Sequence, residues 1–274
     1  MARFTVLWAD GIGSAKVPEP DYDGSILYEV VRPLVANLSR RRHSASDKRV
    51  VWPATMAGIG GPLSWADATS EGVQWLDDTI RTVPGDTRLI LLGYSGGCRV
   101  IHEWLDQNPD LLDQVAAVGL LSDPYRPPGR SQHGTRQLGG WGIAGQRKGP
   151  ISQRTFWTSV EGDVISDARP DALLRTVADL SDRIPGGFLD DLWGHHLDGT
   201  WQLAWQLNVI RTNPLGWLGT LGRRLDQARV DIHGYMTGRH TLAYLEPHET
   251  ASGNESLAQR LADTVAYRAN LEVR

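Results

Sequence analysis

Cysteine is almost missing from this chain. The single Cys98 excludes an intrachain disulfide, and with it a small scaffold held together by disulfides. Phenylalanine is scarce too, with 3 residues against 11 tryptophans. No run approaches the ~18 uninterrupted apolar residues that would read as a membrane-spanning helix, so no transmembrane segment is expected. Excess charge is also lacking: 28 basic against 32 acidic residues leave a net charge of −4. That balance argues against bulk electrostatic binding to nucleic acid or to an anionic membrane. Metal-site spacings are absent, with no His-Glu-x-x-His and no Cys-x-x-Cys, and His195 and His196 are adjacent rather than a helical turn apart. Gly58-Ile59-Gly60-Gly61 is not followed by the helix and acidic residue of a dinucleotide site. Neither metal nor cofactor is expected. Met1 to Ala9 has no basic start or small-residue cleavage site, so no signal peptide is expected either.

What is present describes an ordinary globular chain. The 274 residues, 41% hydrophobic and 22% charged, suit one large domain or two small ones. Phe4 to Ala9 reads as a buried strand that stops at Asp10-Gly11-Ile12-Gly13. Ser25 to Leu38 has helical apolar spacing, Arg49 to Trp52 is a second strand candidate, and Ala68 to Val83 is a second helix. Arg88 to Gly93 is the clearest buried strand, and a helix through Val100 and Leu105 follows it. Val115 to Leu121 and Arg154 to Val160 are two more strands, separated by a Gly- and Pro-rich stretch from Tyr125 to Pro150 that reads as a long surface loop. Such alternation predicts an α/β fold, a mostly parallel sheet with helices on both faces. Beyond Asp163 the pattern turns helical at Asp171 to Ile184, Leu197 to Ile210 and Trp217 to Leu225. These imply a helical insert at about 170–228 within a single catalytic domain spanning 1–274. Ala228 to His233 reads as a last strand and Ser252 to Asn270 as a last helix.

Gly93-Tyr94-Ser95-Gly96-Gly97 matches G-x-S-x-G in its required setting, with a buried strand entering and a helix leaving. Small residues on both flanks let Ser95 take a strained turn that lifts its hydroxyl off the sheet. A helix cap is the plainer reading of the same serine. A serine nucleophile needs a histidine to take its proton and a carboxylate to hold that histidine, in the chain order serine, acid, histidine. Asp163, in Glu161-Gly162-Asp163 at a strand end, is the favoured acid, with Asp167 and Asp123 as alternatives. His240 is the favoured base and His248 its rival; His233, His102 and the His195-His196 pair fit less well. The backbone N–H groups of Gly96 and Ile12 are the candidate oxyanion donors. Trp193, Trp201, Trp205 and Trp217 fall in the insert, where they either face a lipid or form the insert's own core.

Several segments together resemble the lysin B family of mycobacteriophages, relatives of the cutinase-like serine esterases. They are Gly11-Ile12-Gly13, Trp52-Pro53-Ala54, GYSGG where the family usually has GYSQG, and the run Asp123 to Gly129. To these add Gly140 to Gly145 (GWGIAG), Gly162-Asp163, and His240 followed by Tyr244. Ile12 stands where a threonine is common. The resemblance implies a cutinase-like α/β-hydrolase fold with a helical linker subdomain between acid and histidine, and Ser95, Asp163 and His240 as the triad. It implies an esterase that cuts the bond between mycolic acids and arabinogalactan during phage-induced host lysis. Such a protein is made in the host cytoplasm, acts at the host envelope on mycolyl-arabinogalactan or another lipid ester, and contacts the host outer membrane surface. A general cutinase-like lipase or carboxylesterase, or a catalytically silent glycolipid-binding module on the same fold, are the alternatives.

Overall fold

The computed structural model describes residues 1–14, 22, 24–56, 58–132, 136–175, 178, 212–250 and 253–273. Its centre is a five-stranded parallel sheet built from β1 (Arg3–Ala9), β2 (Ser44–Arg49), β3 (Thr87–Tyr94), β4 (Val115–Leu121) and β5 (Thr155–Thr158), in the order β2-β1-β3-β4-β5. The strands alternate their side chains between two separate cores, as the period of two dictates. Phe4, Val6, Trp8, Ile90 and Leu92 pack on one face against α1 (Tyr28–Arg40) and the C-terminal helix. Leu7, Ala9, Leu89 and Leu91 pack on the other face against α2 (Trp65–Thr82) and α3 (Gly97–Gln107). Both faces being covered is why these strands read as continuous apolar runs. The α/β sheet with helices on both faces is therefore the architecture the sequence predicts.

After β5 the described chain runs on through turns to Arg175, and the next helix described in full is α4 (Pro214–Gly234), followed by a wide turn at Tyr235–Arg239 and an antiparallel hairpin of β6 (Pro247–Thr250) and β7 (Gly253–Ser256). The hairpin leads into α5 (Leu257–Leu271). Sequence signals start these helices. The Ser64 hydroxyl accepts from the Asp67 N–H at the head of α2, Ser256 does the same for Gln259 at α5, and Asn213 with Pro214 opens α4. Among the described residues, no helix is long and apolar enough to cross a membrane.

Four sequence expectations are corrected. The second strand is Ser44–Arg49, not 49–52; it is a polar edge strand whose backbone pairs with β1, and Val50 and Trp52 are buried just after it. Ala228 to His233 is not a strand but the last part of α4. No glycine or proline falls between Gly222 and Gly234 to stop that helix, and Val230 and Ile232 are exposed on it while Asp231 is buried. The last helix begins at Leu257, with the hairpin taking the residues before it. The stretch after Tyr125 is not a surface loop throughout: Tyr125, Arg126, Leu138 and Ile143 are buried. The Arg126 guanidinium ties that stretch together by donating to the carbonyls of Ser166, Arg130 and Gly140, each at 2.6 Å. Arg175 donates to the carbonyls of Gly142 at 2.6 Å and Ala168 at 2.7 Å, and its cation lies 4.3 Å from the Trp141 ring. The expected helix at Leu197 to Ile210 and most of the one at Asp171 to Ile184 lie outside the described residues.

Candidate active site

The C-terminal ends of the parallel strands carry the chemistry, where open α/β sheets gather their ligands. β3 ends at Tyr94, Ser95 takes φ +51°, and α3 starts two residues later. A left-handed non-glycine residue is uncommon and marks strain worth a functional reading. The flanking glycines are required by close approach. A Cβ on Gly97 would lie 2.3 Å from the Ala9 carbonyl oxygen, and one on Gly93 would lie 2.8 Å from the Cys98 Cα. The G-x-S-x-G spacing is therefore a packing requirement of this strand-turn-helix as well as a sequence pattern.

His240 reaches the same point from a distant part of the chain. α4 ends at Gly234, and the turn that follows contains Gly238 at φ +97°, which carries the chain round to His240. The imidazole is buried and lies between two tyrosine rings, Tyr94 at 5.3 Å and Tyr235 at 4.9 Å, both within 22° of parallel. The Tyr94 hydroxyl also donates to the His240 carbonyl at 2.8 Å. His240 Nε2 is 2.9 Å from Ser95 Oγ, and Nδ1 is 3.1 Å from Asp163 Oδ1. The structure thus brings Ser95, His240 and Asp163 into one hydrogen-bonded line.

Asp163 sits in the turn after β5, where Gly162 takes φ +74°. Its carboxylate is enclosed by donors: Ser122 Oγ at 2.5 Å, Tyr244 OH at 2.5 Å and Ser166 Oγ at 3.0 Å on Oδ2, and the Ile165 N–H at 3.1 Å on Oδ1. Burial alone would push this carboxyl up. The His240 imidazole and the hydrogen bonds from Ser122 and Tyr244 outweigh burial and hold it below the usual carboxylate range. Burial pushes the Tyr244 and Tyr94 hydroxyls well above the ordinary tyrosine value, with Asp163 adding to it, so both stay protonated as donors.

The other candidates occupy different places. Asp167 accepts from the N–H groups of Gly140 at 2.9 Å and Gly162 at 3.0 Å and pairs with Arg126 at 3.2 Å, so it organises the turn around Asp163. Asp123 is held by His102 Nε2, Trp157 Nε1 and the Tyr125 N–H, each at 2.9 Å. It lies in a buried pair with His102, away from Ser95 Oγ. His233 is on the exposed side of α4, and His248 lies in β6, in register with Glu255. His195, His196, Trp193, Trp201 and Trp205 lie outside the described residues. Trp217 is half-buried on α4, with the Arg224 guanidinium 5.4 Å from its ring.

Gly96 and Ile12 line the same cavity as Ser95 and His240. Neither backbone N–H has an acceptor among the described residues. Asp10 braces that loop from behind, accepting from the Gly11 N–H at 2.9 Å; burial raises its carboxyl above the usual range, against hydrogen bonds from Ser25 and Gly11. The cavity has a volume of about 650 Å3, and its walls are mostly apolar, with Met56, Ile143, Val164, Leu174 and Ile232 among them. Three residues of this site are not singled out by the sequence, Ser122, Ser166 and Tyr235. A serine closing a buried strand, as Ser122 does, was the one available signal.

No protein-family model matches the chain. No curated protein matches it. Among solved structures it is similar to a cutinase-like protein from Cryptococcus sp., at 19% identity over 60% of this chain and 79% of that one, with a TM-score of 0.45. It is similar to an acetylxylan esterase, at 18% identity over 61% of this chain and 86% of that one, with a TM-score of 0.48. It is also similar to Trichoderma reesei cutinase in complex with a phosphonate inhibitor, at 19% identity over 65% of this chain and 71% of that one, with a TM-score of 0.37.

Proposed function

We propose that this chain is a serine esterase whose substrates carry a long apolar acyl group. The observation that carries the reading is the 2.9 Å contact of Ser95 Oγ with His240 Nε2 at the wall of a largely apolar cavity. A cavity of about 650 Å3 is in the range of small-ligand sites, and its walls offer few polar groups to recognise a sugar or a peptide. His240 takes the Ser95 proton as Oγ attacks the ester carbonyl, and returns it to the leaving alcohol. Asp163 stabilises the imidazolium and orients the ring. The N–H groups of Gly96 and Ile12 receive the developing oxyanion, each such donor contributing about 10²–10³ in turnover.

Within that class, we propose mycolic acids esterified to arabinogalactan as the substrate, cleaved at the host envelope during phage-induced lysis. The likeness of the Asp123 to Gly129 and GWGIAG segments to lysin B supports this choice. The interior place of Arg126 and Gly140, whose carbonyl receives that arginine beside the acid-bearing turn, gives those segments a structural reason. On this reading residues 1–274 form one catalytic unit, with the stretch at about 170–228 inserted in it. The test is release of free mycolic acid from purified mycolyl-arabinogalactan, with p-nitrophenyl esters of increasing acyl length assayed in parallel. Release by the wild type and none by Ser95→Ala is the expected result. Cleavage of the simple esters without release from the cell-wall complex leaves a general lipase or carboxylesterase and removes the mycolyl reading. Ser95→Ala cleaving at the wild-type rate removes the serine mechanism.

A further inference from the structure

Two serines with left-handed backbones stand side by side at this site. β3 and β4 are paired so that Tyr94 lies opposite Leu121, and the next residue of each strand is a serine at φ +51°. The Ser95 N–H bonds to the Leu121 carbonyl, and the Ser122 N–H bonds to the Thr158 carbonyl on the next strand. The two hydroxyls meet the two nitrogens of one imidazole: Ser95 Oγ is 2.9 Å from Nε2, and Ser122 Oγ is 3.0 Å from Nδ1. Ser122 is fully buried and does not line the cavity. Glycine takes this backbone without strain, so the turn by itself gives no reason for a serine.

We infer that Ser122 is a positioning residue that fixes the proton of His240 on Nδ1. This rests on the esterase reading above. A serine hydroxyl has one proton to give. The ionised Asp163 Oδ2, 2.5 Å away, is the stronger acceptor, because a hydrogen bond to a charged oxygen is about twice as strong as a neutral one. With its proton committed there, Ser122 Oγ can offer Nδ1 only a lone pair. Nδ1 then carries the hydrogen, shared between Ser122 Oγ and Asp163 Oδ1, and Nε2 is left bare to face Ser95. When Nε2 takes the Ser95 proton, the imidazolium already has both acceptors in place, and no other proton moves. Ser122 touches neither substrate nor the reacting atoms.

The experiment compares wild type, Ser122→Gly and Ser122→Ala. It measures the rate at which a fluorophosphonate labels Ser95, kcat and KM for p-nitrophenyl butyrate, and the thermal midpoint. A fluorophosphonate reports serine activation without reference to any natural substrate. Ser122→Gly removes the hydroxyl and relieves the left-handed strain, so the midpoint is expected to hold or rise. Labelling and kcat are expected to fall about tenfold to a hundredfold, the worth of one hydrogen bond to a charged group, with KM unchanged. Ser122→Ala keeps the strain and is expected to lose the same activity. Wild-type labelling and kcat in a folded Ser122→Gly overturn the inference. A fall in both rates that tracks a fall in midpoint marks the hydroxyl as structural and also overturns it. No labelling of the wild type overturns the esterase reading, and the inference with it.

Discussion

Asp163→Asn replaces an acceptor with five neighbouring donors by a group that is itself half donor. In the wild type, Oδ2 receives Ser122, Tyr244 and Ser166, and Oδ1 receives the Ile165 N–H and His240 Nδ1. A carboxamide has one oxygen. Placed toward the three hydroxyls, it sets its NH2 against Nδ1 and the Ile165 N–H; turned round, it sets the NH2 among the hydroxyls. The first orientation leaves more bonds intact, and there the NH2 donates to Nδ1. That moves the imidazole proton to Nε2, where it faces Ser95 and cannot accept. Loss of the correct tautomer in this type of triad costs about 10⁴ in kcat, and the same fall is expected here with KM little changed. Stability falls as well, by about 1–3 kcal/mol near neutral pH, the cost of mispairing a buried hydrogen-bonded charge. The pH dependence has a definite sign. The folded Asp163 lies below its unfolded value of about 3.9, so its contribution is fully present above that value and is lost as pH falls through the folded pKa. The gap in stability between wild type and Asp163→Asn should therefore close on acidification below about pH 4. Steady-state hydrolysis of p-nitrophenyl butyrate and urea unfolding from pH 7 to pH 3 measure both effects. A mutant with kcat within tenfold of wild type refutes the assignment of the acid.

Asp167→Asn should behave in the opposite way, lowering the thermal midpoint through its Arg126, Gly140 and Gly162 contacts while kcat stays within a few-fold; equal losses of turnover in the two variants would contradict the division of roles. Gly97→Ala sets a methyl 2.3 Å from the Ala9 carbonyl and 2.4 Å from that of Asp10, both rigid backbone, and should cost about 3 kcal/mol or more, read as a thermal midpoint lowered by about 10 °C. Tyr94 and Tyr244 are held well above the ordinary tyrosine value by burial. Their contribution is complete below about pH 10, the unfolded value, and is lost as pH rises from there toward the folded values, at about 1.4 kcal/mol per pH unit for each tyrosine. Tyr94→Phe should remove one such share from the slope of urea-derived stability between pH 10 and 11, and an unchanged slope would count against burial as the cause.

The fold was legible wherever a strand is buried on both faces. The sequence marks Val115–Leu121 to the residue because every position on it is apolar or small and fully enclosed. β2 lies earlier in the chain than the apolar signal at Arg49 to Trp52 for the converse reason. Ser-Ala-Ser-Asp-Lys-Arg is an edge strand that pairs through its backbone and buries little, so its side chains carry no period. Ala228 to His233 misled in the other direction. Val230 and Ile232 alternate like a half-buried strand, but the helix meets no glycine or proline between Gly222 and Gly234, and local periodicity over six residues cannot outweigh a continuing hydrogen-bonded ladder. The hairpin of β6 and β7 is four polar-rich residues a side and gives no apolar signal.

The site divides along the same physical line. Ser95 could be found because close backbone approach forces glycines at 93 and 97, and that constraint is written into the sequence as a spacing. Asp163 and His240 could be ranked by chain order and by the glycines that turn the chain toward them. Ser122 could not, because nothing local sets it apart from any other serine at a strand end. Its role exists only where β4, the turn after β5 and the turn after α4 converge, and 41 and 118 residues separate it from Asp163 and His240. Backbone constraints leave marks nearby in the chain, whereas a hydroxyl that works through long-range partners leaves no more than its place at a strand end. The left-handed φ of Ser122 is the feature that gives it away, since a side chain is being kept where glycine would rest more easily. The same reasoning separates Asp163 from Asp123. Both are fully buried and both contact a histidine, but Asp123 spends its bonds on Trp157 and the Tyr125 N–H, and its histidine lies on α3, the helix that follows Ser95. An acid serves a triad only when its histidine has a second nitrogen within reach of the nucleophile, and His240 is placed so.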